Sequence, residues 1–343
     1  MSTMSALRVG LVGYGGAGRG IHARLLREAG QQVTVAVTRS RAAQVADDWP
    51  GAAVEPDIEG LLTHAADLDL VVIASPTGEH VAHTLAALDA GLHVIVDKPL
   101  ATTADDAEML ASRGDGRLTV FHNRRWDTEQ ATLLALLEAG TLGTVHRFER
   151  RWERFRPVPQ DRWKENDPLA GGLLLDLGAH LVDSATQLFG PVATVYAELH
   201  ARTTPAVDDV FLSLTHTSGV VSHLEAGAVV GAPGPRTRVL GDAGAYLVTS
   251  FEGEPTPFSA LDDAYEETRR PGEPTHEGWL VRGSDRAPVP RVGRGHSDVY
   301  RAVAAWVVDG GPPPVDPFDA ARTARVLDAA KVSADEGRVV RMP

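Results

Sequence analysis

Over the first 121 residues the apolar positions fall in short unbroken runs separated by stretches with one polar face. Residues 7–12, 33–37, 70–74, 93–96 and 118–121 are such runs, of the length and character of strands buried on both faces. Residues 17–29 and 79–90 carry helical periodicity, and Gly30 and Gly91 close them. Strand and helix alternate, which predicts a doubly wound parallel sheet.

The pattern then changes. A helix is expected over residues 129–139, followed by alternating segments at 145–154, 192–202, 210–217, 220–228, 236–240 and 245–248. Short turn signals such as Thr217-Ser218-Gly219 join several of them. They predict an open, mainly antiparallel sheet with one apolar and one polar face, together with a helix at 179–189; two further helices follow at 297–308 and 317–336. Residues 251–295 are rich in Gly, Pro and charge and are expected to be irregular. The fold class is α/β: a doubly wound domain over 1–122 and an α+β domain over 123–343, whose terminal helices are placed to pack back on the first domain. An open sheet needs cover on its second face. If that face is apolar, self-association supplies the cover, so a homo-oligomer is expected.

Bulk properties narrow the function. At 343 residues the chain is too long for one ordinary core. A net charge of −13 repels phosphate backbones, which argues against a nucleic-acid partner. With no cysteine there are no disulfides, no Cys–zinc sites and no thiolate chemistry. No apolar stretch behind a basic head opens the chain, and no run is long enough to span a bilayer. A cytoplasmic location without a membrane partner is the expectation.

The first strand ends in Gly13-Tyr14-Gly15-Gly16-Ala17-Gly18. Glycines at 13, 15 and 18 have G-x-G-x-x-G spacing, and here the motif follows a strand and opens a helix, the context of dinucleotide binding. Gly13 permits a tight turn, Gly15 lets a pyrophosphate approach the backbone, and Gly18 lets helix and strand pack closely. The helix N-terminus offers N–H groups to phosphate. After the second strand stand Thr38, Arg39, Ser40 and Arg41, with no acid to hold the ribose hydroxyls. Two guanidinium groups suit a 2′-phosphate, so NADP is preferred over NAD. The competing reading makes Arg39 and Arg41 solvated loop charges.

Asp97-Lys98-Pro99 ends a buried strand at the sheet edge where ligands bind. Lys98, kept extended by Pro99, is placed to hydrogen-bond a reacting hydroxyl or to lower its pKa; the alternative is a surface lysine at a strand end. In Gly171-Gly172-Leu173-Leu174-Leu175-Asp176-Leu177-Gly178-Ala179-His180, Asp176 and His180 are four apart and share a helix face. A carboxylate beside an imidazole orients it and stabilises the imidazolium that forms when the ring accepts a proton. A helix-stabilising pair and half of a metal site are the alternatives. A metal needs at least one more ligand; Asp183 lies on a nearby face but reads equally as solvated, so no metal is expected.

Together, the glycine loop, Ser75-Pro76-Thr77 with His80, Asp97-Lys98-Pro99 and the Asp176–His180 segment resemble the Gfo/Idh/MocA oxidoreductase family, in order and spacing along nearly the whole chain. His122-Asn123-Arg124-Arg125-Trp126-Asp127 and Arg151-Trp152-Glu153-Arg154-Phe155-Arg156-Pro157 look like its NADP-dependent scyllo-inositol dehydrogenase branch. The resemblance implies a Rossmann domain, catalytic roles for Lys98, Asp176 and His180, and a nicotinamide-side lining by Ser75, Pro76 and Thr77. Asp97 stands where the family has glutamate. Asn123, Arg124 and Arg125 are expected to bind polyol hydroxyls alongside Lys98, Asp176 and His180, or else to form an interdomain salt-bridge cluster. His80 is either a cofactor-site residue or a packing histidine. The implied reaction is oxidation of a secondary hydroxyl on a cyclic polyol or sugar, with hydride passing to NADP. Reduction of another carbonyl or imine on the same fold, and a non-catalytic dinucleotide-binding sensor, are the rival readings.

Overall fold

The computed structural model describes residues 6–248, 276–293 and 295–343. The chain divides into two compact units, one comprising residues 6–123 and 295–321, the other 124–248, 276–293 and 322–343.

The first unit is built on six parallel strands: β1 (Arg8–Val12), β2 (Gln32–Val37), β3 (Ala53–Glu55), β4 (Leu70–Ile73), β5 (His93–Asp97) and β6 (Leu118–Phe121). Their order is β3-β2-β1-β4-β5-β6. The winding direction reverses between β1 and β4, the place where such sheets open a crevice for ligands. Val12 lies level with Val37 and Ile73, and Ile73 with Val96, so four strands end along one edge. Every residue of β4 and β6 is buried, as the unbroken apolar runs require. Such burial contributes about 1.5–3 kcal/mol for each large aliphatic side chain.

The helix expected over 17–29 is present, but it opens with a wide π-helical turn, Gly18–Ala23, before Arg24–Glu28. The helix His80–Asp89 matches expectation, and Ala42–Asp48, Ile58–Leu62 and Ala104–Arg113 add further cover. Asp57 and Thr103 cap the last two by accepting bonds from Gly60 N and Asp106 N. Residues 295–321 join this unit through the helix Ser297–Asp309, whose Tyr300 is fully buried, and through Val315, which exchanges two hydrogen bonds with Thr119.

The second unit carries nine strands: β7 (Val145–Glu153), β8 (Val192–His200), β9 (Asp209–His216), β10 (Val221–Gly227), β11 (Thr237–Gly241), β12 (Gly244–Val248), β13 (His276–Arg282), β14 (Asp285–Pro290) and β15 (Val340–Arg341). The order is β14-β13-β12-β11-β7-β10-β9-β8-β15, antiparallel throughout except for the pair β7 and β10. All six alternating segments are strands. On β9, Val210, Leu212 and Leu214 point to the core, where they join Leu181, Val182 and Ala185 of the helix Ala179–Phe189. The opposite face is not apolar at its centre: Arg238 and Arg151 flank Glu149, and Arg151 also pairs with Glu225. The premise of an apolar second face is therefore not met there.

The irregular character expected for 251–295 is corrected in its described part. Residues 276–290 form the hairpin β13–β14, turned at Gly283-Ser284. Pro288 and Pro290 argued against a strand, but β14 is a sheet edge, where a missing N–H costs no ladder bond. Residues 251–275 lie outside the described residues. Among the described residues no helix is long and apolar enough to cross a membrane.

Candidate active site

Four groups of expected site residues stand along the carboxyl edge of the first sheet, each directly after a strand: 13–18 after β1, 38–41 after β2, 75–77 after β4 and 97–99 at the end of β5.

The glycine loop follows the expected division of labour. Gly13 has φ +94°, and a Cβ there would lie 2.7 Å from Ala74 O. At Gly18 a Cβ would overlap Gly13 O, so helix and turn meet there without room for a side chain. At Gly15 and Gly16 a Cβ would meet nothing within 4 Å. The backbone is bare at these two positions for a reason other than packing, which fits a dinucleotide pyrophosphate drawing close. Tyr14 is buried and donates to Asp48 Oδ2 at 2.8 Å, and Asp48 also holds Arg19 at 2.6 Å; the Tyr14 side chain thus braces the loop from behind. Ala17 stands just before the π-helical turn.

Thr38 Oγ1 accepts from Arg41 N at 3.2 Å and shapes the turn after β2. Arg39, Ser40 and Arg41 are exposed, and among the described residues neither arginine side chain has a partner.

His80 links the other two loops. It is 1% exposed; its Nδ1 lies 2.9 Å from Pro99 O and its Nε2 3.0 Å from Ser75 O. Burial lowers its pKa despite the opposing pull of Asp97 and of the two carbonyls. Ser75 Oγ lies 2.9 Å from His83 Nδ1, Pro76 is exposed and Thr77 is buried. The packing reading of His80 therefore describes its contacts.

Behind Lys98 stands a chain of groups that sequence reasoning missed. Lys98 N donates to Asp97 Oδ1 at 2.8 Å. Asp97 Oδ2 lies 3.6 Å from Nε2 of the fully buried His22, whose Nδ1 is 2.6 Å from the Tyr300 hydroxyl. Phe121 packs on the imidazole at 4.3 Å between ring centroids. Burial pushes the Asp97 carboxyl up, but the neighbouring His22, then Lys98 and His80, outweigh it and hold the pKa down to about 2. His22 lies four residues beyond Gly18; only that helical spacing in the sequence hinted at its place.

The remaining expected residues, apart from Asn123, belong to the second unit. Asn123 is buried and ends the first. Arg124 pairs with Asp127 at 3.2 Å and stacks over Trp152 at 5.5 Å; Trp152 in turn faces His180 at 5.7 Å. Arg125 grips Asp183, which is 2% exposed, through Nε and Nη2 at 3.0 and 2.6 Å. Both residues belong to the second unit, so the pair is not an interdomain one.

Asp176 lies in a π-helical turn, Leu174–Gly178, and His180 begins the α-helix behind it, so the four-residue spacing is not one plain α turn. Lys164 Nζ donates to Asp176 Oδ1 at 2.7 Å, a partner the sequence did not suggest. His180 is 6% exposed. Among the described residues no group of three or more His, Asp or Glu is arranged to hold a metal ion.

Comparison with known proteins accords with this geometry. Residues 7–120 match the profile described as "Oxidoreductase family, NAD-binding Rossmann fold", and residues 130–247 match the "GFO/IDH/MocA C-terminal domain". Scyllo-inositol 2-dehydrogenase (NADP(+)) IolW of Bacillus subtilis is 30% identical over 99% of this chain and 97% of its own. D-glucoside 3-dehydrogenase of Escherichia coli is 33% identical over 58% of each chain. Among solved structures, the oxidoreductase yvaA of Bacillus subtilis superposes with a TM-score of 0.86 at 30% identity, covering 100% of both chains. The chain belongs to the Gfo/Idh/MocA family of NAD(P)-binding oxidoreductases.

Proposed function

We propose that this protein oxidises a secondary hydroxyl of a cyclic polyol or sugar, inositol-like in character, with NADP preferred over NAD. The observation that carries this reading is the carboxyl edge of the first sheet, where the bare backbone at Gly15, the guanidinium groups of Arg39 and Arg41, and Lys98 all stand. The dehydrogenases named above, which act on scyllo-inositol and a D-glucoside, support the substrate class.

Gly13, Gly15, Gly16 and Gly18 receive the pyrophosphate, and Arg39 and Arg41 a 2′-phosphate. The bound nicotinamide supplies a hydride acceptor. Lys98 lowers the pKa of the substrate hydroxyl through its charge, and His180 takes the hydroxyl proton as the C–H hydride leaves. Asp176 orients the base, while Lys164 fixes Asp176. Asn123 and Arg124 bind ring hydroxyls; Arg125, engaged by Asp183, positions them. Assembly into a homodimer or homotetramer belongs to the same proposal, and a monomeric mass by light scattering overturns that part.

The test is reduction of NADP⁺ and NAD⁺ by the purified protein against inositols, aldoses and their derivatives. Turnover of a polyol or sugar is expected, with kcat falling at least ~10²-fold in both His180→Ala and Lys98→Ala. Near-full activity in both variants, or no turnover with any substrate, sinks the assignment.

A further inference from the structure

The segment Arg151–Pro157 carries three arginines against one glutamate, and the structure shows where two of the arginines go. Beyond β7 the chain keeps an extended course beside residues 227–230, with Arg154 N bonded to Gly227 O at 3.0 Å and Arg156 N to Ala228 O at 2.7 Å. Alternation puts Arg154 and Arg156 on one side and the exposed Phe155 on the other. The two arginines line a pocket that is partly open to solvent, with Arg162, Lys164, Glu165 and Asp176 also in its wall.

The acids of this pocket are already committed. Glu165 is bound in a fork by Arg162, and Asp176 by Lys164. Asp208, also in the wall, accepts from Arg202 N, Thr203 N and Thr203 Oγ1, all within its own loop. Arg154 has no such partner: among the described residues no carboxylate lies in ion-pairing range, and its buried Nε has no hydrogen-bond acceptor. Burial, then the charge of Arg156, holds its pKa below the ordinary arginine value, and Arg162 adds to this against the pull of Asp176 and Glu165. A guanidinium remains charged even so. A charge withdrawn from water without a counter-charge is unfavourable, and a planar fork of donors matches a carboxylate or phosphate.

We propose that this pocket binds an anionic substituent of the substrate, so that the preferred substrate is a sugar or cyclic polyol bearing a carboxylate or a phosphate, held by Arg154 with its hydroxyls toward Asp176. The inference rests on the dehydrogenase reading, because that reading places Asp176 at the reacting hydroxyl.

Calorimetric titration of the NADPH-loaded full-length protein tests it. The probes are glucose, glucuronate and glucose 6-phosphate, together with myo-inositol and myo-inositol 1-phosphate. At least one charged probe is expected to bind about tenfold or more tighter than its neutral parent, as a charge-assisted hydrogen bond requires. Whether carboxylate or phosphate gains identifies the group. The advantage shrinks to within ~3-fold in Arg154→Gln, survives in Arg154→Lys, and declines as salt rises. Arg301→Gln, on the exposed surface of the helix Ser297–Asp309, is the control that leaves it in place. If Arg154→Gln fails to fold, Arg154→Lys and the salt series decide. Equal affinity for charged and neutral probes, absence of binding by all five, or an advantage untouched by Arg154→Gln overturns the proposal. Turnover of a neutral inositol without a charge preference faults this inference alone; binding of charged probes with no turnover faults the dehydrogenase reading alone.

Discussion

Strand β4 of the first sheet is Leu-Val-Val-Ile, every residue buried, whereas β7 of the second sheet buries Glu149 and Arg150 beside Phe148 and Trp152. In the first sheet the expected ligand-binding loops stand beyond the strand ends, and the strands themselves are almost wholly apolar. The second sheet carries a charged network in its core: Glu129 receives Arg150 Nη2 at 3.1 Å and Arg236 Nε at 2.5 Å, with Thr237 and Gln130 completing it. Charge is thus kept to the strand ends in the first sheet and carried into the core in the second.

The largest expected effect tests the second half of that contrast. Glu129→Gln removes the carboxylate between two buried arginines and is expected to cost about 3–5 kcal/mol in urea denaturation, the typical penalty for breaking a buried ion pair. Burial raises the Glu129 pKa, but the charges of Arg236 and Arg150 bring it below the ordinary value, so the ionised form is the native one. A cost under ~1 kcal/mol, the range of exposed pairs, would mean that the network contributes little to stability.

Next comes acid. The Asp97 pKa falls from 3.8 to about 2 on folding, which corresponds to about 2 kcal/mol of stability at neutral pH. The folded value is the lower one, so this contribution is complete above pH ~4 and vanishes as pH falls through ~2. Asp97→Asn is expected to flatten the stability profile of the first unit in that window. An unchanged profile would detach Asp97 from the His22–Tyr300 chain.

A smaller effect is expected in the turn after β2. Arg39→Ala with Arg41→Ala should raise the Kd for NADPH about tenfold, shift that for NADH by less than ~3-fold, and move stability by under ~0.5 kcal/mol. Equal losses for both cofactors would remove the 2′-phosphate argument. Smallest on stability is Gly15→Ala, whose Cβ meets nothing within 4 Å. It is expected to leave the melting temperature within ~1–2 °C while weakening NADPH binding measured by fluorescence. An unchanged NADPH affinity would leave the bare backbone at Gly15 without a ligand.

The sequence exposed what is periodic. Five of the six strands of the first sheet and six of the nine in the second follow directly from runs and alternation. Of the elements it hid, β3 has three residues, β15 two, and β14 contains prolines tolerated only at an edge, while β13, seven residues long, falls within the stretch whose Gly, Pro and charge content read as irregular. At the candidate site, geometry tied to a local motif was legible, as at Gly13 and Gly18. His22, Tyr300 and Lys164 were not, because their contacts are with partners brought close by the fold: Tyr300 meets His22 across 278 positions of chain. Asp176 and His180 were found by an α-helical rule, although the local winding is wider than that rule assumes.

The single imidazole of His80 has a thermodynamic consequence. It faces carbonyl oxygens of two different loops, Ser75 O and Pro99 O, and a neutral ring has only one N–H to give. The two loops therefore compete for one proton. Whatever ligand tightens either loop onto the ring changes the hold on the other, and by reciprocity a ligand touching the second loop is felt at the first in equal measure.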